Sequence, residues 1–105
     1  MKDLDIEARM KELGLNAPKV SAGDIDNVIS EVTYTMLPSG KSMICEITLK
    51  NGFTVHGESC VVSKENFNIG IGQQISFAKA KSKIWELEAY LLQQILFNER
   101  QITND

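Results

Sequence analysis

The sequence predicts an α+β fold: short N-terminal helices, a three- or four-stranded antiparallel meander, and a long C-terminal helix packed on the sheet. Three observations predict it. Residues 43–50 alternate apolar with polar side chains, the period of a half-buried strand. Asn51-Gly52 follows at once, the strongest two-residue hairpin signal. Residues 71–99 contain no proline and repeat apolar side chains every three or four positions, the period of a helix with a buried stripe.

The elements follow in chain order. Residues 3–13 read as a short amphipathic helix, with Leu4, Ile6, Met10 and Leu13 loosely on one side, ended by Gly14 and Pro18. A helix this short does not stand alone in water, so it packs on this domain or on a second copy. Ser21 is placed to cap a second short helix, with Asp24 three residues on as the shorter stand-in for a capping-box glutamate. Ile25, Val28 and Ile29 give that helix its apolar edge, and residues 1–30 form an N-terminal helical segment.

The sheet is expected over 31–62 as part of one domain covering 1–105. Val32-Thr33-Tyr34-Thr35-Met36 alternates, and Leu37-Pro38-Ser39-Gly40 is a turn cluster. Met43, Cys45, Ile47 and Leu49 share one face of the next strand, and Ile44, Glu46, Thr48 and Lys50 the other. A type I′ turn is expected at Asn51-Gly52, with positive φ at both residues. The returning strand puts Phe53, Val55 and Gly57 on one face and Thr54, His56 and Glu58 on the other. A loop is expected over 63–70, the long helix over 71–99, and a frayed polar tail over 100–105.

On the long helix, Phe77, Ala80, Ile84, Leu87, Leu91 and Ile95 form one stripe, and Ala78, Trp85, Leu92 and Leu96 a second beside it. That arc is wider than one sheet face requires. The surplus predicts a homo-oligomer, a dimer or larger, with one side of the helix on its own sheet and another on a partner.

A chain of 105 residues with 43% apolar and 24% charged side chains is a globular domain of ordinary size. A net charge of -3 argues against binding duplex nucleic acid by bulk electrostatics, and Lys79, Lys81 and Lys83 are the only basic strip. Two cysteines, Cys45 and Cys60, are too few for a disulfide scaffold or a zinc site without further ligands. The start Met1-Lys2-Asp3-Leu4-Asp5 is acidic where a secretory signal needs an apolar run, and no segment approaches the roughly 20 apolar residues of a membrane span. The expectation is a soluble cytoplasmic protein with reduced thiols and no membrane partner.

His56, with Glu58 two residues away, reads either as a general base or as a polar surface residue, and it has no nucleophile beside it. Cys45 reads as a small buried hydrophobe and Cys60 lies past the strand near Glu58 and Ser59, so neither is expected to be catalytic. Gly70-Ile71-Gly72 before a helix lacks the lysine and serine of a phosphate loop, and reads as a flexible joint where backbone approaches something closely. Phe67, in the polar loop Glu65-Asn66-Phe67-Asn68, is either a core plug or a stacking surface for a flat ligand, as is Phe53. With no nucleophile, metal cage or paired acid and base, the chain is expected to be no enzyme and to carry no cofactor or metal.

Asn51-Gly52-Phe53, Gly57-Glu58-Ser59, Glu65-Asn66-Phe67, Ile71-Gly72, Ala78, Ile84-Trp85, Leu87-Glu88 and Tyr90-Leu91-Leu92 together resemble a family of small tailed-phage and prophage proteins. This is the phage gene forty-nine/gene sixty-six family. The upstream Asn16-Ala17-Pro18-Lys19-Val20 and Asp24-Ile25 are similar to it as well. The chain departs from its usual pattern at Asn68, Gly70 and Ala89, the last replacing a glycine and so expected to straighten the helix.

The resemblance extends to phage anti-defence proteins that counter Thoeris immunity by sequestering a cyclic ADP-ribose signal, some of which also hold cyclic dinucleotides. It implies a non-enzymatic anti-defence protein, cytoplasmic in the host bacterium, that sequesters a cyclic nucleotide at an oligomer interface. Phe53 and Asn66 are the residues it implies for sandwiching an adenine ring, with Phe67 in the same loop. Lys79 and Lys83 are candidates for the phosphates by their chemistry alone. The alternative is a module that binds or inhibits a host protein and takes no small-molecule ligand.

Overall fold

The computed structural model describes residues 3–15 and 17–103. Met1, Lys2, Asn16, Asn104, Asp105 and the side chains of Asp3, Leu4, Ile102 and Thr103 lie outside the described residues. The element order is α1 (Asp3–Glu12), α2 (Ala22–Val28), β1 (Ile29–Met36), β2 (Ser42–Leu49), β3 (Thr54–Cys60), one 3-10 turn (Lys64–Asn66) and α3 (Ile69–Thr103). This is the α+β architecture expected, with three strands. The chain divides into two compact units, Val28–Ile84 and Met1–Asn27 with Trp85–Asp105.

The unit Val28–Ile84 holds the antiparallel sheet, in the order β1-β2-β3, and the first half of α3. Alternation in sequence becomes alternation in burial: Met43, Cys45, Ile47 and Leu49 of β2 are buried, as are Val55, Gly57 and Ser59 of β3. Each fully buried aliphatic side chain contributes about 1.5–3 kcal/mol. Helix α3 packs on this face through small residues one turn apart, Gly72, Ser76 and Ala80, followed by Ile84, and all four are buried. The closest approach is at Gly57. A Cβ built there would lie 2.4 Å from the Ala80 amide nitrogen and 2.6 Å from the Ser76 carbonyl oxygen. Only glycine lets helix backbone touch strand backbone, the usual reason for glycine inside a strand. The buried hydroxyls are satisfied, since Ser76 and Ser59 both donate to the Gly72 carbonyl, at 2.7 and 3.1 Å.

The hairpins are built from glycine. In the β1–β2 connection Gly40 has φ +73° and its N–H donates to the Leu37 carbonyl. In the β2–β3 connection the Gly52 N–H donates to the Leu49 carbonyl and the Leu49 N–H to the Phe53 carbonyl. Gly52 has φ +90°, whereas Asn51 has no positive φ. The type I′ turn expected at Asn51-Gly52 is therefore replaced by a three-residue loop, a type I turn closed by a left-handed glycine. Two hydrogen bonds account for the difference. The Lys50 N–H donates to the Val28 carbonyl, drawing Lys50 out of the β2–β3 ladder, and the Asn51 side chain accepts from the Phe53 N–H at 3.0 Å.

In the other unit, Ser21 and Asp24 form the reciprocal capping box. The Asp24 N–H donates to Ser21 Oγ at 3.1 Å and the Ser21 N–H to Asp24 Oδ2 at 2.9 Å. The Ala22 N–H donates to Glu7 Oε1, so an α1 carboxylate meets the N-terminus of α2, where negative charge is favoured. Ala22 and Ile25 are buried. In the part of α3 beyond Ile84 the two stripes read from the sequence separate. Trp85, Leu92 and Leu96 are half-buried, while Leu87, Leu91 and Ile95 are exposed.

Three boundaries differ from expectation. Strand β1 begins at Ile29, inside the segment read as helical, and the register shift between Ile29 and Glu31 marks where the chain settles into the ladder. Helix α3 begins at Ile69, because Asn68 Oδ1 accepts the Ile71 N–H at 2.9 Å and caps the first turn. Gly70 and Gly72 are thus helical and form no joint, although Gly72 is a point of close approach. At its other end α3 continues through Thr103, so residues 100–103 extend the helix where a frayed tail was expected, with no proline or glycine to stop it.

Candidate functional site

Where α3 crosses β3 at Gly57, the helix runs beside the open edge of the sheet and leaves a cleft of about 480 Å³. Its walls are Ile44, His56, Gly57 and Glu58 from the sheet and Lys79, Ser82 and Lys83 from the helix. Lys79 and Lys83 stand one helical turn apart and therefore on one face. Lys83 Nζ donates to the His56 carbonyl, a backbone acceptor on the edge strand. Ser82 Oγ donates to the Lys79 carbonyl at 2.7 Å. Two lysines against the single carboxylate of Glu58 give the cleft a cationic balance in a chain of net charge -3. The arrangement offers ammonium and imidazole donors to an anion.

A second, smaller cleft of about 60 Å³ lies at the start of α3, lined in part by Asn66, Phe67 and Asn68 of the loop and Ile71 and Gly72 of the helix. The Phe67 ring seats against Gly72, where a Cβ would come within 2.6 Å of its outermost carbon. Phe67 is half-buried and acts as a plug between loop and helix. Room for a few waters falls well short of the roughly 300 Å³ at which small-molecule pockets begin.

The five residues singled out from the sequence thus fall into three places. Lys79 and Lys83 come together in the larger cleft. Asn66 and Phe67 come together in the smaller one. Phe53 stands at the β2–β3 turn, 55% exposed, and lines neither. Sequence reasoning missed His56, Glu58 and Ser82 as cleft residues. The signal available for them was Gly57, a glycine inside an alternating strand, which marks close backbone approach.

Cys45 is buried, as its place on the apolar alternation implies, and Cys60, the last residue of β3, is exposed. Burial pushes the Cys45 thiol up, partly opposed by a hydrogen bond with Tyr34. Burial also raises the Tyr34 phenol, followed by its interaction with Cys45. A thiol held protonated is a poor nucleophile. Among the described residues no group of three or more His, Cys, Asp or Glu is placed to hold a metal ion, and no helix is long and apolar enough to cross a membrane.

Residues 20–96 match the Phage protein (N4 Gp49/phage Sf6 gene 66) family. No curated protein and no solved structure matches the chain.

Proposed function

The chain belongs to this phage protein family, and from that premise we propose that it is a non-enzymatic anti-defence protein that binds and sequesters a cyclic nucleotide immune signal as a homo-oligomer. The observation that carries the reading is the pairing of Lys79 and Lys83 with His56 along β3, in a cleft large enough for a nucleotide. Sequestration needs tight burial and charge-assisted bonds to phosphate, and no bond-making chemistry. The phosphates sit against the two lysines, with Ile44 as the apolar floor. Phe53, Asn66 and Phe67 lie outside this cleft, so the base is held by other groups, including any that a second copy supplies.

The second reading, a module that docks on a host protein, is favoured by one observation. Leu87, Tyr90, Leu91 and Ile95 are all exposed on α3 beyond Ile84. Exposed apolar patches of this kind mark protein contacts.

The test is calorimetric titration with cyclic ADP-ribose isomers and cyclic dinucleotides, followed by denaturation and recovery of the ligand. Binding with intact recovered ligand is the expected result. Altered ligand makes the protein an enzyme, and no heat with any nucleotide turns the assignment to the protein-docking reading.

A further inference from the structure

The two edges of the sheet belong to β1 and β3, and on β3 the Lys83 side chain donates to the outward His56 carbonyl. The pairing of the Leu37 N–H with the Ser42 carbonyl fixes the ladder. Every second residue from there, Thr35, Thr33 and Glu31, faces β2 with its backbone groups. Val32, Tyr34 and Met36 consequently aim their N–H and C=O groups away from the sheet, and none of these groups has a backbone partner among the described residues.

Natural edge strands are blunted by lysine, proline, a central bulge or shortness. Strand β1 is eight residues long and has neither lysine nor proline, and its one irregularity lies at its start, between Ile29 and Glu31. Its side chains on the core face are Val32, Tyr34 and Met36, of which Tyr34 is 38% and Met36 40% exposed. Backbone and side chains alike are those of a strand that continues into another.

We propose that β1 pairs antiparallel with β1 of a second copy of this chain, joining two three-stranded sheets into one of six strands. The self-complementary side-chain pattern of β1 selects this occupant, and charge selects the direction. Glu31 is the only charged residue in β1. With the two-fold axis at Thr33, Glu31 lies opposite the partner's Thr35, and Val32 lies opposite the partner's Tyr34. The two Glu31 side chains are then about 13 Å apart along the strands, beyond the screening length of about 8 Å at physiological salt. Parallel in-register stacking would instead set Glu31 beside the partner's Glu31 at about 4.8 Å. The antiparallel pair is closed, because the same patch is used on both subunits. The Val32–Tyr34 contact is a β-branched–aromatic pair, and Thr33 meets the partner's Thr33, both favourable across strands.

This inference names the surface for the self-association in the functional reading and rests on that reading only there, since a nucleotide in the β3 cleft is not required for it. The test is sedimentation equilibrium across micromolar concentrations, with amide hydrogen exchange on the same samples. The wild-type chain is expected at twice its 11.7 kDa mass, with the Val32 and Tyr34 amides protected more strongly as concentration rises. Thr33→Lys leaves the monomer intact, because position 33 faces Glu46 on β2, but sets lysine against lysine at the axis. It is expected to weaken the dimer at least tenfold. Val32→Pro removes an outward donor and is expected to abolish it. A wild-type chain that is monomeric throughout, or a dimer unchanged by Thr33→Lys with the Val32 and Tyr34 amides exchanging freely, overturns the inference. A persistent dimer that binds no nucleotide leaves it standing and removes only the ligand reading.

Discussion

The two edges of one small sheet are finished in opposite ways. Along β3 the edge carries His56 and Glu58, Lys83 reaches a backbone carbonyl, and α3 lies against Gly57. Along β1 the edge carries one charge, no lysine and no proline, and its Tyr34 and Met36 are substantially exposed. The difference shows where polar chemistry has been concentrated and where backbone has been left available. Charged side chains blunt an edge against further pairing, and an edge nearly free of them is open to another strand.

The comparison breaks most visibly at Gly57. Gly57→Val drives side-chain atoms into the Ala80 and Ser76 backbone, which cannot yield as a flexible side chain would. The expected loss is about 3 kcal/mol or more in urea denaturation, with the cleft lost as well. A loss under about 1 kcal/mol would mean that α3 shifts freely on β3.

Next in size, Lys79→Ala with Lys83→Ala is expected to weaken nucleotide binding about 100-fold, roughly 2.7 kcal/mol, while stability changes by less than about 1 kcal/mol. Equal losses in both would show the lysines to be structural. Ser59→Ala, which leaves the Gly72 carbonyl with Ser76 as its remaining hydroxyl donor, is expected to cost about 1 kcal/mol in the same denaturation assay.

The smallest effect is expected on the β1 side, in alkali. Folding raises the Tyr34 phenol above its ordinary 10.0 and the Cys45 thiol above its ordinary 9.0. A raised pKa means the folded chain holds these protons more tightly. Their contribution is therefore complete below about pH 9 and is lost as pH rises through the raised values. Tyr34→Phe should flatten the upper part of that decline in denaturation midpoints measured from pH 8 to 11. An unaltered decline would assign the alkaline loss to Cys45 or to other groups.

Much of the fold was legible because local chemistry and tertiary need agree. The alternation from Met43 to Leu49, the Ser21–Asp24 capping box and the proline-free run of α3 each report a structure that their own neighbours stabilise. The Asn51-Gly52 signal located the hairpin but not its turn type, which depends on the Lys50 N–H reaching Val28, a partner distant in sequence. The site was less legible for the same reason. Lys79 and Lys83 were visible as a basic pair, but nothing local to them or to His56 states that Gly57 lets a helix settle onto strand backbone. Asn66 and Phe67 looked like ligand groups because a polar loop carrying an aromatic has that appearance. The close approach at Gly72 that engages the ring appears only once loop and helix are folded together.

The central claim, that the ligand surface is the β3 edge and not the hairpin or the loop, is most directly tested by amide chemical-shift mapping during titration with cyclic ADP-ribose. The account predicts shifts at His56, Gly57, Glu58 and along Lys79 to Lys83, with Phe53 and Asn66 unmoved. Shifts confined to Phe53 and the Asn66–Phe67 loop, or none at saturating ligand, would contradict it.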